Sequence, residues 1–267
     1  MSATLAAPPT TIGKFVWRDL VTTDPERAKA FYTALFGWDV KPMGMTNDSG
    51  TAENYDMLAN AGTDFGGIVT LDKDHSHVPP HWSSYITVES VDETVATATR
   101  LGGMVYLPPT DIPDVGRFAV VADPQGAVFQ PFTMTMDAGP EPQGPPPMGS
   151  PCWNELITAD PDGAKAFYGE IFGWQFETGD MGTGPYTIIK RGDQMEGGMF
   201  QKPPEVPATM WLIYYYVGDL DHTLADVGRL GGQVFGEIIT VPTIGRISWA
   251  ADPTGAIFAL LEPEAPQ

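Results

Sequence analysis

The sequence predicts an α+β protein made of two tandem copies of one βαβββ–βαβββ unit. Three observations support this: motifs recur in the same order along the chain, a proline-rich segment separates the copies, and hydrophobic periodicity alternates between strand-like and helix-like within each copy. The 267 residues suffice for two domains with their own cores. We predict a flexible N-terminus at 1–11, domains at 12–136 and 151–264, and a linker at 137–150.

The repeat is clearest around the first predicted helix of each copy. Thirteen residues between Trp17 and Trp38 recur as the same residue type 136 positions later, between Trp153 and Trp174. The offset then falls to 131 at Gly66-Gly67 and to 129 from Trp82 onward, as small loop deletions would produce. The linker holds five prolines and three glycines, a composition typical of a semi-rigid spacer.

The first half of each copy begins with a strand and a helix. Val16 to Thr22 alternates like a half-buried strand, with Trp17, Asp19 and Val21 on one face. Asp24 and Pro25 suit the N-cap and first turn of a helix, which Gly37 ends. Two further strands are predicted, Tyr55 to Leu58 and Phe65 to Leu71.

The same order of elements then begins again. Ser83 to Val88 is predicted as a strand, and Val91 to Leu101 as a helix that starts near Ser90 or Asp92 and ends at Gly102-Gly103. An Asp-Pro-Gln-Gly turn joins the last two strands. The three predicted strands after this helix are Val105 to Leu107, Gly116 to Ala122 and Ala127 to Phe132.

Composition narrows the class of partner. The formal charge of −20 disfavours nucleic acid and anionic membrane surfaces, and no apolar run is long enough to span a bilayer. The N-terminus lacks the features of a signal peptide, and the single cysteine, Cys152, excludes an internal disulfide. We therefore expect a cytoplasmic protein with a small-molecule ligand, whose copies pair with each other or form a homodimer.

The motifs DPxxAxxFYxxxFGW and GRxxxxxDPxGAxF resemble those of the vicinal-oxygen-chelate superfamily, which contains glyoxalases, bleomycin-resistance proteins and extradiol dioxygenases. Within it, the chain is most similar to tandem actinobacterial glyoxalase-like proteins often described as hydroxylases. The resemblance covers nearly the whole chain. It implies two glyoxalase-like domains, in which paired βαβββ modules form a curved mixed sheet with an active site on its concave side.

The resemblance also implies a divalent metal held by His, Glu or Gln side chains at fixed positions. Three of these positions can be placed: seven residues before the helix-capping aspartate, five before the end of the fifth strand, and seven after the aspartate of the Asp-Pro turn. They hold Trp17, Ser83 and Gln130 in the first copy and Trp153, Leu212 and Ala259 in the second. We therefore expect no bound cofactor.

Asp19 and Glu155 are the candidate catalytic residues. Each lies two residues beyond the tryptophan of its first strand and on the same face, and an inward carboxylate needs a partner. Three roles remain open: an ion pair with Arg117 or Arg246, contact with a ligand or acid/base work, and a shifted metal site. That site would use Asp19, His81 and Gln130.

Aromatic residues dominate the candidate ligand-binding set. On a concave sheet they would form a cavity suited to a planar ligand, although the same residues could instead fill the core between helices and sheet. Together with Arg117, Gln130 and Arg246, the candidates are Trp17, Trp82, Phe129, Trp153, Trp211, Tyr214 and Trp249.

The sequence thus favours a protein that binds a small aromatic or oxygenated molecule in two cups whose usual metal site is degenerate. Two alternatives stay open. One is a metal-dependent glyoxalase, lyase or dioxygenase with a shifted ligand set, and the other is a sequestering protein of the bleomycin-resistance type.

Overall fold

The computed structural model contains two eight-stranded mixed sheets, one in each copy. Most of the predicted N-terminal segment and the first half of the predicted linker lie outside the described residues. The structure describes residues 11–46, 52–71, 74–75, 77–135, 144–180 and 184–264.

The first sheet joins two βαβββ modules through antiparallel pairing of β1 with β5, while β1–β4 and β5–β8 pair in parallel. Its strand order is β2-β3-β4-β1-β5-β8-β7-β6. The elements are β1 (Phe15–Thr22), α1 (Pro25–Phe36), β2 (Asp39–Thr46), β3 (Ala52–Asn60), β4 (Thr63–Thr70), β5 (His81–Thr87), α2 (Val91–Arg100), β6 (Met104–Ile112), β7 (Gly116–Ala122) and β8 (Val128–Met134).

The second sheet repeats this topology in the order β10-β11-β12-β9-β13-β16-β15-β14. The predicted architecture of paired βαβββ modules is therefore confirmed in both copies. The elements are β9 (Pro151–Thr158), α3 (Pro161–Phe172), β10 (Gln175–Asp180), β11 (Pro185–Arg191), β12 (Gln194–Gln201), β13 (Met210–Tyr216), α4 (Leu220–Arg229), β14 (Gln233–Val241), β15 (Gly245–Ala251) and β16 (Ile257–Pro263).

The predicted helix ends are confirmed. The Asp24 carboxylate accepts the N–H of Arg27, Pro25 occupies the first turn, and Gly37 ends α1 with a φ of 72°. Sequence patterning did not reveal the strands that follow α1 and α3, namely β2 and β10. Both are edge strands whose described side chains are largely exposed, so they lack the apolar alternation that marks a half-buried strand.

The helix-bearing faces of the two sheets pack against each other, so the two copies share one interior. Phe129 of β8 makes edge-to-face contacts with Phe167, Tyr168 and Phe172 of α3, with ring centroids 5.6–6.1 Å apart. The repeat-related residue Phe258 makes the equivalent contacts with α1. Each large buried cluster therefore combines residues from both copies.

Hydrogen bonds reinforce this interface. The Tyr168 hydroxyl donates to Asp123 Oδ2 at 3.0 Å, linking α3 to the Asp-Pro turn of the first copy. Trp38 Nε1 donates to the Gly149 carbonyl at 2.8 Å, and Gly149 N–H donates to the Tyr216 carbonyl at 2.7 Å, so the end of the linker contacts both copies. In the described part of the chain, no helix is long and apolar enough to cross a bilayer.

Candidate functional site

The face of each sheet opposite the helices carries a buried carboxyl group near its centre. We call these faces the first cup, with Trp17, Asp19, Tyr55, Tyr85 and Gln130, and the second cup, with Trp153, Glu155, Tyr186, Tyr214 and Trp249. Asp19 is only 2% exposed and pairs with Gly67 on β4 and Ser83 on β5. Successive strand residues alternate faces, so Asp19 and Trp17 share the cup while Leu20 packs toward the helices.

In the first cup, neutral hydrogen-bond donors surround the carboxyl group. The Tyr55 hydroxyl donates to Asp19 Oδ1 at 2.9 Å and the Tyr85 hydroxyl to Oδ2 at 2.7 Å. Trp17 Nε1 lies 2.7 Å from the Tyr55 hydroxyl and 3.1 Å from Asp19 Oδ1, so its N–H is shared between them. These aromatic side chains leave Asp19 only 2% exposed.

The second cup repeats this network with a longer acidic side chain. The Tyr186 hydroxyl donates to Glu155 Oε1 at 2.8 Å and the Tyr214 hydroxyl to Oε2 at 2.5 Å. Trp153 Nε1 donates to the Tyr186 hydroxyl at 2.9 Å, as Trp17 does to Tyr55. A further indole, Trp249, donates to the Tyr214 hydroxyl at 3.2 Å.

A glycine in each cup makes room for this arrangement. A Cβ on Gly67 would lie 2.1 Å from the Tyr55 ring and hydroxyl, and one on Gly198 would lie 2.0 Å from the Tyr186 hydroxyl. Each tyrosine therefore lies across a glycine of the neighbouring strand to reach the carboxyl group. The residue that pairs with the carboxyl-bearing residue on this neighbouring strand is the same glycine, Gly67 beside Asp19 and Gly198 beside Glu155.

The two carboxyl groups have perturbed ionisation. Burial raises the pKa of Asp19 and of Glu155 above the ordinary carboxyl values, and the tyrosine hydrogen bonds oppose that shift only in part. Burial and the adjacent carboxyl group also raise the pKa of Tyr55, Tyr85 and Tyr186, so these tyrosines remain hydroxyl donors.

These shifts predict how stability changes with pH. A carboxyl group whose pKa is raised by folding contributes stability that is fully present below its unfolded pKa, near 4, and is lost as pH rises through the folded pKa. We expect the unfolding free energy of the wild type to fall with rising pH relative to the Asp19→Asn/Glu155→Gln variant. A pKa that folding raises by one unit changes the free energy of unfolding by about 1.4 kcal/mol over this pH range.

Urea unfolding of both proteins from pH 4 to pH 8 measures this difference. Carboxyl groups common to both proteins cancel in the comparison, so the trend isolates the two cup residues. A difference that stays constant across this range would contradict the raised pKa values.

Of the three roles left open for the cup carboxyl groups, the ion pair with Arg117 or Arg246 is not formed. Arg117 Nε donates to Asp92 at 2.8 Å and Nη1 to Asp111 at 2.7 Å, while Arg246 pairs with Asp221 and Glu262. Both arginines follow the strand alternation onto the helix side of their sheets, which leaves them outside the cups.

Three of the predicted ligand-binding aromatics also lie on the helix side. Trp82 Nε1 donates to the Tyr32 hydroxyl at 2.9 Å, and Trp211 Nε1 donates to the Tyr168 hydroxyl at 3.1 Å. Phe129 is fully buried in the interface between the copies. Their role is to fill the core, whereas Trp17, Trp153, Tyr214 and Trp249 do lie in the cups.

The residues at the expected metal positions form no ligand set. In the first copy, Gln130 Nε2 donates to Ser83 Oγ at 2.8 Å, and Trp17 supplies an indole N–H, which cannot bind a cation. In the shifted set, both Asp19 oxygens accept hydrogen bonds from tyrosines, and His81 Nδ1 bonds to the Pro79 carbonyl at 2.8 Å. Among the described residues, no three His, Cys, Asp or Glu side chains cluster around a point that could hold a metal.

Sequence reasoning missed Tyr55, Tyr85 and Tyr186, although a signal for them exists. Tyr55 and Tyr186 are 131 residues apart, the offset of the Gly-Gly pair, and Tyr85 and Tyr214 are 129 apart, the offset of that part of the repeat. Searching for polar aromatic residues that repeat with the carboxylates would have found all four.

Comparisons with known proteins agree with this architecture. Residues 11–130 match the family model described as the glyoxalase/bleomycin resistance protein/dioxygenase superfamily, and residues 153–261 match a glyoxalase-like domain. A solved Mn(II)-bound glyoxalase from Novosphingobium aromaticivorans has the same fold, with a TM-score of 0.61 at 15% identity over 95% of this chain and 83% of that one. Dioxygenases are among the other solved chains with this fold.

Two curated relatives match over nearly their whole length. A Mycobacterium tuberculosis protein named "Putative glyoxylase CFP32" is 37% identical over 94% of this chain and 95% of its own. The anthracycline biosynthesis protein DnrV of Streptomyces peucetius is 31% identical over 94% and 93%. With both halves matched and the fold shared, the chain belongs to the glyoxalase/bleomycin resistance protein/dioxygenase superfamily as a tandem member with two glyoxalase-like domains.

Proposed function

We propose that this protein binds a small, flat, oxygen-bearing aromatic molecule in its cups and does so without a catalytic metal. One observation carries the proposal: in both copies, a buried carboxyl group that accepts hydrogen bonds from two tyrosines lies beside the expected metal positions, and only Gln130 among these is a side chain of the expected ligand type. The carboxyl group acts as a positioning residue that fixes the tyrosine rings and hydroxyls.

The surfaces of the cups favour a planar ligand. In the first cup, the Tyr85 ring contacts Phe118 and Phe132 with centroids 5.8 and 5.5 Å apart. In the second, the Phe200 ring stacks on Trp249 at 6.3 Å and on Tyr186 at 6.4 Å. Rings held in this way offer faces and edges to another aromatic system at little entropic cost.

The charge of the protein also limits the charge of the ligand that the cups would accept. Arg117 and Arg246 are paired with carboxylates on the helix side, and the chain carries a formal charge of −20. An anionic ligand would approach a repelling field and find a carboxyl group beneath the cup floor. A neutral or cationic ligand fits better.

The relatives support the same ligand class. Two Streptomyces proteins of 30 and 31% identity are named anthracycline biosynthesis proteins, and an anthracycline is a flat, oxygenated ring system. The superfamily makes a divalent metal plausible, as in the Mn(II)-bound glyoxalase, but the residues at the positions that can be placed in this chain do not fit one. A sequestering protein of the bleomycin-resistance type would bind the small molecule in the same way without converting it. A glyoxalase or dioxygenase reaction would require a different set of metal-binding side chains.

Metal analysis and a binding titration test the proposal together. Purified protein should contain less than one equivalent of Mn, Fe, Ni or Zn per copy by elemental analysis. It should also bind 2-naphthol saturably, as followed by tryptophan fluorescence. The Trp17→Ala and Trp153→Ala variants should each weaken binding about three- to tenfold at their own cup, the range expected for an aromatic contact.

Arg229→Ala is a suitable control, since Arg229 is exposed and pairs with Asp226 within α4, on the side of the sheet opposite the cups. One tightly held transition ion per copy would overturn the metal-independent assignment. Naphthol binding unchanged in both tryptophan variants would overturn the assignment of the cups.

A further inference from the structure

We propose that the two cups select different ligands: the first binds the hydroxyl group of a planar aromatic molecule through Gln130, and the second binds an apolar ring. The inference rests on the proposed function and adds the chemical class that each cup recognises. It follows from differences between copies that otherwise share the same carboxyl–tyrosine network.

An unsatisfied amide distinguishes the first cup. Gln130 lies on β8 directly beside Tyr85 of β5, is only 5% exposed and donates from Nε2 to Ser83 Oγ. Its Oε1 is buried and has no hydrogen-bond partner among the described residues. Because a buried acceptor without a partner is costly, such a group calls for a donor from outside the chain. A ligand hydroxyl supplies one.

The hydrogen bonding of the equivalent tyrosines, Tyr85 and Tyr214, also differs between the cups. In the second cup, Trp249 donates its indole N–H to the Tyr214 hydroxyl. The repeat offset of 129 puts Val120 at the corresponding position of the first copy, and valine has no donor to offer Tyr85. The first cup therefore has two acceptors on paired positions of β5 and β8, the Tyr85 hydroxyl and Gln130 Oε1, and lacks the indole donor of the second cup.

The second cup replaces the polar pair with hydrocarbon. Leu212 and Ala259 stand where the first copy has Ser83 and Gln130, and both are essentially fully buried. Trp249 pairs with Ala259 across the β15–β16 ladder, so a large indole lies beside a small side chain. The first copy reverses the sizes, with Val120 and the larger Gln130.

A matched pair of probes tests the difference. 2-Naphthol and naphthalene share one flat ring system and differ by a single hydroxyl group. We expect one site per chain that prefers 2-naphthol about three- to tenfold, which is the contribution of a neutral hydrogen bond, and a second site without that preference. The Gln130→Met variant should abolish the preference at the first site while still binding naphthalene.

Transfer of the polar pair provides the complementary test. The Leu212→Ser/Trp249→Val/Ala259→Gln variant gives the second cup the residues of the first, and we expect both sites to prefer 2-naphthol. Far-UV circular dichroism checks that each variant is folded. A preference for 2-naphthol that survives Gln130→Met in folded protein would overturn the inference. That result is expected if an ordered water, and not a ligand hydroxyl, satisfies the amide.

The measurements can refute this inference and the proposed function separately. If both probes bind with equal affinity in wild type, the selectivity is refuted while the cups remain binding sites. If neither probe binds in wild type, the proposed aromatic ligand itself is refuted.

Discussion

Phe129→Ala is expected to lower the free energy of unfolding by about 3–5 kcal/mol, the cost typical of removing a fully buried phenylalanine. The side chain has no measurable exposure, and its ring contacts three aromatic rings of α3 in the other copy. The resulting cavity would lie between the two copies. The loss should therefore lower the stability of both, and urea unfolding followed by circular dichroism measures it.

Phe118→Ala is the matched control. Phe118 lies on the neighbouring strand β7 but faces the first cup, where it is half-buried beside Tyr85. We expect a distinctly smaller loss of stability, together with weaker binding of an aromatic probe. If Phe118→Ala destabilised the protein as much as Phe129→Ala, the assignment of faces to interface and cup would be wrong.

Alanine at Gly66 and alanine at Gly67 are expected to have different effects, although the residues are adjacent. A Cβ on Gly66 would lie 2.1 Å from the backbone carbonyl oxygen of Arg18, which cannot move without disturbing the β1–β4 ladder. Overpacking against backbone should destabilise the fold by about 1–3 kcal/mol or more. At Gly67 the clash is with the end of the Tyr55 side chain, which can rotate away.

Gly67→Ala should therefore leave the protein folded but remove Tyr55 from Asp19, weakening ligand binding in the first cup. Thermal unfolding and probe titration distinguish the two effects. The second copy offers an independent repetition, because Gly197 meets the Asn154 carbonyl and Gly198 meets Tyr186 in the same way. Equal loss of stability at both glycines of a pair would contradict this account.

Local rules predicted much of the fold from the sequence. Asp24, Pro25 and Gly37 specify the limits of α1 through hydrogen bonding and backbone geometry within a few residues, and the same residues recur around α3. The resemblance then supplied the pairing of modules, which local rules do not contain. The strands β2 and β10 were not recognised in the sequence because their described side chains are mostly exposed and carry no alternating pattern.

The site was harder to predict because it depends on which sheet face is covered. Alternation separates Trp17 from Arg18 and Trp82 from Ser83, but it does not say which set faces the helices. The other copy covers one face, and that packing decides that Trp82 fills the core while Trp17 lies in the cup. Tyr55 and Tyr85 come from strands distant in sequence, so their meeting at Asp19 follows only from the strand register.

The union of both copies in one polypeptide has a genetic consequence. In a symmetric homodimer, a single mutation changes both sites at once, so a gain at one is inseparable from a loss at the other. Here the codons for Gln130 and Ala259 can change independently, while Phe129 and Phe258 next to them hold the shared interior together. One half can therefore acquire a new specificity while its twin continues to support the fold.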